Sequence, residues 1–175
     1  MDDDLDPTSR VLGESAGALR LHDRSEIQAT CASMAAQTAR ELRIFSRDLD
    51  PWLYDQTDFL ESVRQLALRS PRSLVEILVL DTEPAIHQGH RLIELARQLT
   101  SRIQIRCPPE ELQQQVKAYL IADDKGYVLR PLADVFEGVA DFSAPMQVRR
   151  MRRDFHDSWE RSSRCPELIT FGRGL

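Results

Sequence analysis

Two periodicities divide the chain. Leu74-Val75-Glu76-Ile77-Leu78-Val79-Leu80 is almost continuously apolar, as a strand covered on both faces should be. Leu42-Arg43-Ile44-Phe45-Ser46 and Ile103-Gln104-Ile105-Arg106 are shorter runs of the same kind, each stopped by proline, at Pro51 and at Pro108-Pro109. Between them apolar residues recur at helical spacing. Ile27, Cys31, Met34 and Ala35 mark a first helix ending near Arg40 and opened by Asp23 or Ser25, with Gln28 in capping-box position to Ser25. Phe59, Leu60, Val63, Leu66 and Ala67 mark a second, where Asp58 and Glu61 suggest another capping box. Pro84 opens a third, with Ile86, Leu92, Leu95, Ala96 and Leu99 facing inward. Val116–Ala122 and Tyr127–Leu129 flank Asp123-Asp124-Lys125-Gly126, a hairpin turn. Pro145 begins a last helix with Val148, Met151, Phe155 and Trp159 in one stripe. A further short strand is expected near Ala18–Leu21. Strands alternating with helices and ending in a hairpin predict an α/β fold, a central mixed β-sheet flanked by helices.

Length and composition narrow this to one domain. The chain has 175 residues, 42% of them apolar, enough for one core and too few for two. Residues 1–10, with four Asp against one Arg, read as a disordered acidic tail; the α/β domain runs over 11–163, and 164–175 reads as a C-terminal tail. No apolar run approaches the roughly 18 residues a bilayer span needs. The Met-Asp-Asp-Asp start is unlike a basic signal peptide. A cytoplasmic chain without membrane attachment is therefore expected. Cys31, Cys107 and Cys165 are odd in number, widely spaced and without a Cys-x-x-Cys. They are expected to be reduced structural thiols.

Taken in order, these elements resemble one half of the phospholipase D superfamily over about residues 25–163. The Ala-rich helix leading into Leu42–Ser46 resembles the opening of that half-domain, and Phe59 to Leu80 its next helix and buried strand. The hairpin Val116–Leu129 resembles the strand pair carrying the family signature, and the helix with Phe155 and Trp159 its closing helix. The resemblance implies the fold and also the site to inspect. Family chemistry uses His-x-Lys-x-x-x-x-Asp, with the His attacking phosphorus. With Asp123 as the aspartate, Val116 and Ala118 stand at the His and Lys positions. With Lys117 as the lysine, Gln115 and Ala122 occupy the other two. The downstream Gly-Ser falls on Arg130-Pro131, and sliding to Gly138 recovers a Gly without the Ser. No histidine lies between His90 and His156, so the family's nucleophile is missing. A degenerate half-domain without catalytic residues is expected, acting as a binding or adaptor module. Because two halves pack together in that superfamily, a homodimer or a protein partner is expected. An acetyltransferase is one such partner, since similar domains stand beside acetyltransferase domains in bacteria.

Candidate ligand groups lie in three places. His87, His90 and Arg91 follow the strongest strand, at the sheet edge where open α/β folds bind ligands. Two histidines three apart, with Asp81 and Glu83 upstream, are metal-like, but Gly89 separates them and no third ligand shares their helix; no cofactor or metal is expected. Lys117 and Arg130 stand on the hairpin, as a phosphate pocket or as outward-facing strand charges. Arg149, Arg150, Arg152 and Arg153 crowd the last helix on a chain of net charge −5. They read as a local patch for the phosphates of DNA or RNA, as partners of the acidic N-terminal tail, or as a solvated helix face.

Overall fold

The computed structural model describes residues 6–170. An eight-stranded sheet runs in the order β1-β7-β6-β5-β2-β3-β4-β8. β2 (Glu41–Ser46), β3 (Leu74–Val79) and β4 (Ile103–Cys107) are parallel. β5 (Ala118–Ala122), β6 (Gly126–Arg130), β7 (Gly138–Asp141) and β1 (Leu19–Leu21) continue antiparallel on one side, and β8 (Ser163–Arg164) closes the other. The mixed α/β architecture is the expected one.

Strand alternation divides the side chains between two unequal cores. Leu42, Ile44, Val75, Ile77, Val79, Leu120, Val128 and Ala140 point to the larger core. There they meet α1 (Arg24–Gln37), α2 (Pro51–Tyr54), α3 (Thr57–Arg69) and α5 (Arg91–Gln98), whose inward residues include Met34, Leu53, Val63 and Leu92. Phe45, Leu78, Tyr119, Ile121 and Tyr127 point the other way and meet Val148, Met151, Phe155 and Trp159 of α6 (Pro145–Glu160). That second core is small. Toward the N-terminal ends of β2 and β3 the same face carries the partly buried Arg43 and the buried Glu76.

Several elements differ from the sequence expectation. Asp23, not Ser25, caps α1: its Oδ1 accepts from the Glu26 amide at 2.8 Å, while the Glu26 carboxylate accepts from the His22 amide at 2.7 Å. Asp58 lies inside the first turn of α3, and Gln56 is the cap residue, without a side-chain bond. The expected third helix is two, α4 (Glu83–His87) and α5, because Gly89 adopts φ +65° and His90 restarts the helix. β7 gave no strand signal of its own. Its backbone passes so near Gly126 that a Cβ there would lie 2.9 Å from the Asp141 carbonyl oxygen.

Both expected tails are partly folded. Ser33 and Gln37 of α1 donate to the Pro7 and Arg10 carbonyls at 3.0 and 2.9 Å. Residues 1–5, with Asp2, Asp3 and Asp4, lie outside the described residues. At the other end, β8 pairs with β4 and a short α7 (Pro166–Thr170) follows. Cys107 and Cys165 are joined in a disulfide, with Cα atoms 5.2 Å apart, and only Cys31 is a free thiol. Their separation of 58 residues concealed this, because strand order alone brings β8 beside β4. No helix among the described residues is long and apolar enough to cross a membrane.

Candidate functional site

The hairpin carries chemistry of different kinds at its two ends. In the turn, Asp123 holds φ 53° and is 7% exposed. Its carboxylate accepts from the amides of Ala39, Arg40 and Glu41 at 2.8, 2.8 and 2.9 Å. Asp123 therefore does more than form the turn; it ties the hairpin to the start of β2.

At the other end Arg130 is buried, not directed to solvent as a strand charge, because β6 turns it toward the larger core beside Val128. Its Nη2 donates to the Asp50 carboxylate and its guanidinium carbon sits 5.3 Å from the Trp52 ring centroid. Its Nη1 is buried without a hydrogen-bond partner. Burial raises the Asp50 carboxyl above its ordinary value, partly offset by Arg130. The nearby Cys31 thiol is pushed up to about 12 by burial. Arg24 lies over both rings of an aromatic pair, 5.2 Å from Trp52 and 4.6 Å from Phe136. Lys117, just ahead of β5, lies on the opposite face, 5.8 Å over Tyr119. The structure thus separates Lys117 and Arg130 by the thickness of the sheet.

The histidines are also separated. His90 is 2% exposed, and both ring nitrogens are engaged: Nδ1 accepts from the Leu92 amide at 3.2 Å and Nε2 lies 2.8 Å from the Leu49 carbonyl oxygen. Accepting at Nδ1 puts the ring proton on Nε2, which donates to Leu49. Leu49 is a non-glycine residue at φ 61°, a conformation that costs about 1–2 kcal/mol. His90 and the Ser46 hydroxyl, which accepts from the Leu49 amide at 3.0 Å, hold it there and so aim Asp50 at Arg130. His87 is exposed and 3.5 Å from Glu83, and Arg91 is engaged by Asp55 at 2.6 Å. No cluster of three or more potential metal ligands occurs among the described residues.

The α6 arginines form an open charged site. Residues 149, 152, 153 and 156 fall three or four apart, so Arg149, Arg152, Arg153 and His156 share one helix face. With Arg43, Asp124 and Pro145 they line a cleft of about 580 Å³ between α6 and the sheet. Glu41 binds two of the arginines, Arg43 at 2.9 Å and Arg152 at 2.8 Å. Buried Glu76 lies 3.9 Å from Arg43, and burial raises its carboxyl above the ordinary value, an effect Arg43 only partly offsets. Arg149 and Arg153 have no ion-pair partner among the described residues and are exposed, as is Arg150, which lies outside the cleft. Arg43 and His156 were not among the expected site residues. His156 was legible in the helical spacing; Arg43 was not, since only strand pairing places β2 under α6.

A family model described as "Domain of unknown function (DUF7931)" matches residues 23–171. The chain belongs to that family. No curated protein matches it. Solved structures identify the fold. NucT from Helicobacter pylori superposes with a TM-score of 0.61 at 11% identity, covering 85% of this chain and 98% of its own. Nuc from Salmonella typhimurium, a phospholipase D family member, gives 0.57 at 12%, covering 85% and 99%. TrmBL2, an archaeal chromatin protein whose structure shows a novel mode of DNA binding, gives 0.63 at 14%; this chain is covered to 90% and spans 56% of that one. The phospholipase D-like fold is thereby established at half-domain size. Val116 is exposed just ahead of β5, and Ala118 is buried and paired with Arg130.

Proposed function

We propose that this DUF7931 chain is a non-catalytic binding module of phospholipase D-like fold that takes a phosphate-containing ligand in the α6 cleft. The observation that carries it is the pair of exposed, unpartnered guanidinium groups, Arg149 and Arg153, over a floor where Glu41 already holds Arg43 and Arg152. Guanidinium forks match phosphate oxygens in geometry and charge. A floor braced by carboxylates keeps its arginines in place before a ligand arrives, which lowers the ordering cost of binding. The non-catalytic part is supported by Val116 and Ala118, neither of which can attack phosphorus or transfer a proton. The test is competition of pyrophosphate against a fluorescent phosphorylated probe, read by anisotropy. R149E/R153E should weaken binding by about tenfold or more, near 1.4 kcal/mol. Unchanged affinity in that variant removes the reading.

A second reading, binding of nucleic acid along α6, is favoured by Arg150, which extends the basic face beyond the cleft, and by the likeness to the DNA-binding chromatin protein. Under it, affinity for a single-stranded oligonucleotide falls steeply with salt, and R150E weakens it. A small-ligand site leaves R150E silent.

A further inference from the structure

The C-terminal segment 163–170 lies against the sheet edge like a strap, joined to it by one covalent bond. β8 pairs with β4 at only two positions, Arg106 with Arg164 and Cys107 with Ser163. α7 has five residues, too few for an isolated helix to persist in water. Its attachments include a 3.4 Å hydrogen bond from Thr82 to Glu167 and the packing of Leu168 against the larger core. The buried residues of that core otherwise come from before residue 143.

We propose that the Cys107–Cys165 disulfide is a reversible clasp: thiol–disulfide exchange with a low-molecular-weight thiol opens it, releasing the strap and uncovering the β4 edge while the rest of the domain stays folded. The two sulfurs are unequal. Cys165 is 1% exposed, whereas Cys107 is partly exposed and lines an open cleft of about 400 Å³ with Leu80, Thr82 and Gln113. A thiolate therefore reaches Cys107 first. Its sulfur bonds to Cys107 Sγ, the protein S–S bond breaks, and the electron pair leaves on Cys165, which takes a proton from water. A second thiolate attacks the mixed disulfide, leaving Cys107 as a thiol and yielding the small disulfide. Two electrons pass from two thiols to the protein, and the oxidised couple reverses the exchange. Cys31 sits buried in α1 and does not compete. Release opens the groove in which Cys165 and Leu168 lie beside Ile93, Ala96 and Ile105. It also frees β4, whose unpaired edge is the kind a protein ordinarily keeps covered.

The experiment is limited trypsin digestion of the whole chain, equilibrated in glutathione buffers from fully oxidised to fully reduced, then quenched with alkylating agent and read by mass after reduction. Cleavage after the exposed Arg161 and Arg164 should speed up about tenfold or more on reduction, a change of near 1.4 kcal/mol in strap opening, and reverse on reoxidation. C165S should cleave fast in every buffer, and circular dichroism should keep its helical signal throughout. Three results overturn the proposal: cleavage indifferent to the buffer, a strap that stays oxidised in the reduced buffer, or reduction that exposes sites throughout α1 and α3. The first shows packing alone holds the strap, and the other two make the disulfide a permanent structural cross-link.

Discussion

His90 shows how one side chain can stabilise a strained backbone. Its ring bonds the carbonyl of Leu49 and caps α5, both in the neutral form. Burial lowers its pKa below 6.5; Leu49 and the nearby Asp55 and Asp48 oppose this, and Arg91 reinforces it. A group depressed in the fold adds stability above its unfolded pKa, and that stability is lost as pH falls through the folded value. Urea unfolding should therefore show the wild type weakening below about pH 6.5, with a shallower decline in H90N. Equal slopes would show that His90 is not the titrating group. Arg130 supports a second residue-level prediction. R130M leaves the half-buried Asp50 without its partner and should cost about 3 kcal/mol, whereas R130M/D50L should cost less than R130M alone. Additive losses in denaturant melts would mean the ion pair contributes no coupling.

Among the elements, the hairpin was legible as a turn, but the role of Asp123 was not. The Asp-Asp-Lys-Gly pattern announces a reversal, and nothing local says that the carboxylate reaches residues 39–41, more than 80 positions away. D123A should lower stability by about 2 kcal/mol, the loss of charge-assisted bonds to backbone amides, with D123N retaining part of it; chemical denaturation would measure both. α4 and α5 read as one helix because apolar residues continue from Ile86 to Leu92 and Leu95 with no proline between them. Only the left-handed Gly89 and the cap by His90 divide them. β7 carries too few apolar residues to announce itself and is a strand because β6 and β1 pair with it on either side. The α6 stripe was legible in full, since Val148, Met151, Phe155 and Trp159 follow the helical period, and the arginines fall outside that stripe.

For the whole molecule, the phospholipase D-like layout leaves the proposed non-catalytic role open to a direct test. A chain without a histidine between His90 and His156 should hydrolyse bis(p-nitrophenyl) phosphate no faster than buffer. Turnover that survives purification, and is lost in R149E/R153E, would show that the cleft itself performs chemistry. By itself the sequence determined the α/β class, the strongly periodic elements and the arginine-rich helix, because all of these depend on residue type and local spacing. The tertiary structure alone decided that Arg43 joins Arg149, Arg152 and Arg153, that Arg130 is buried against Asp50, and that Cys107 finds Cys165. Each is a contact between segments distant in the chain. Strand order and register set such contacts, and one residue's shift in register would turn every side chain of a strand to the opposite face.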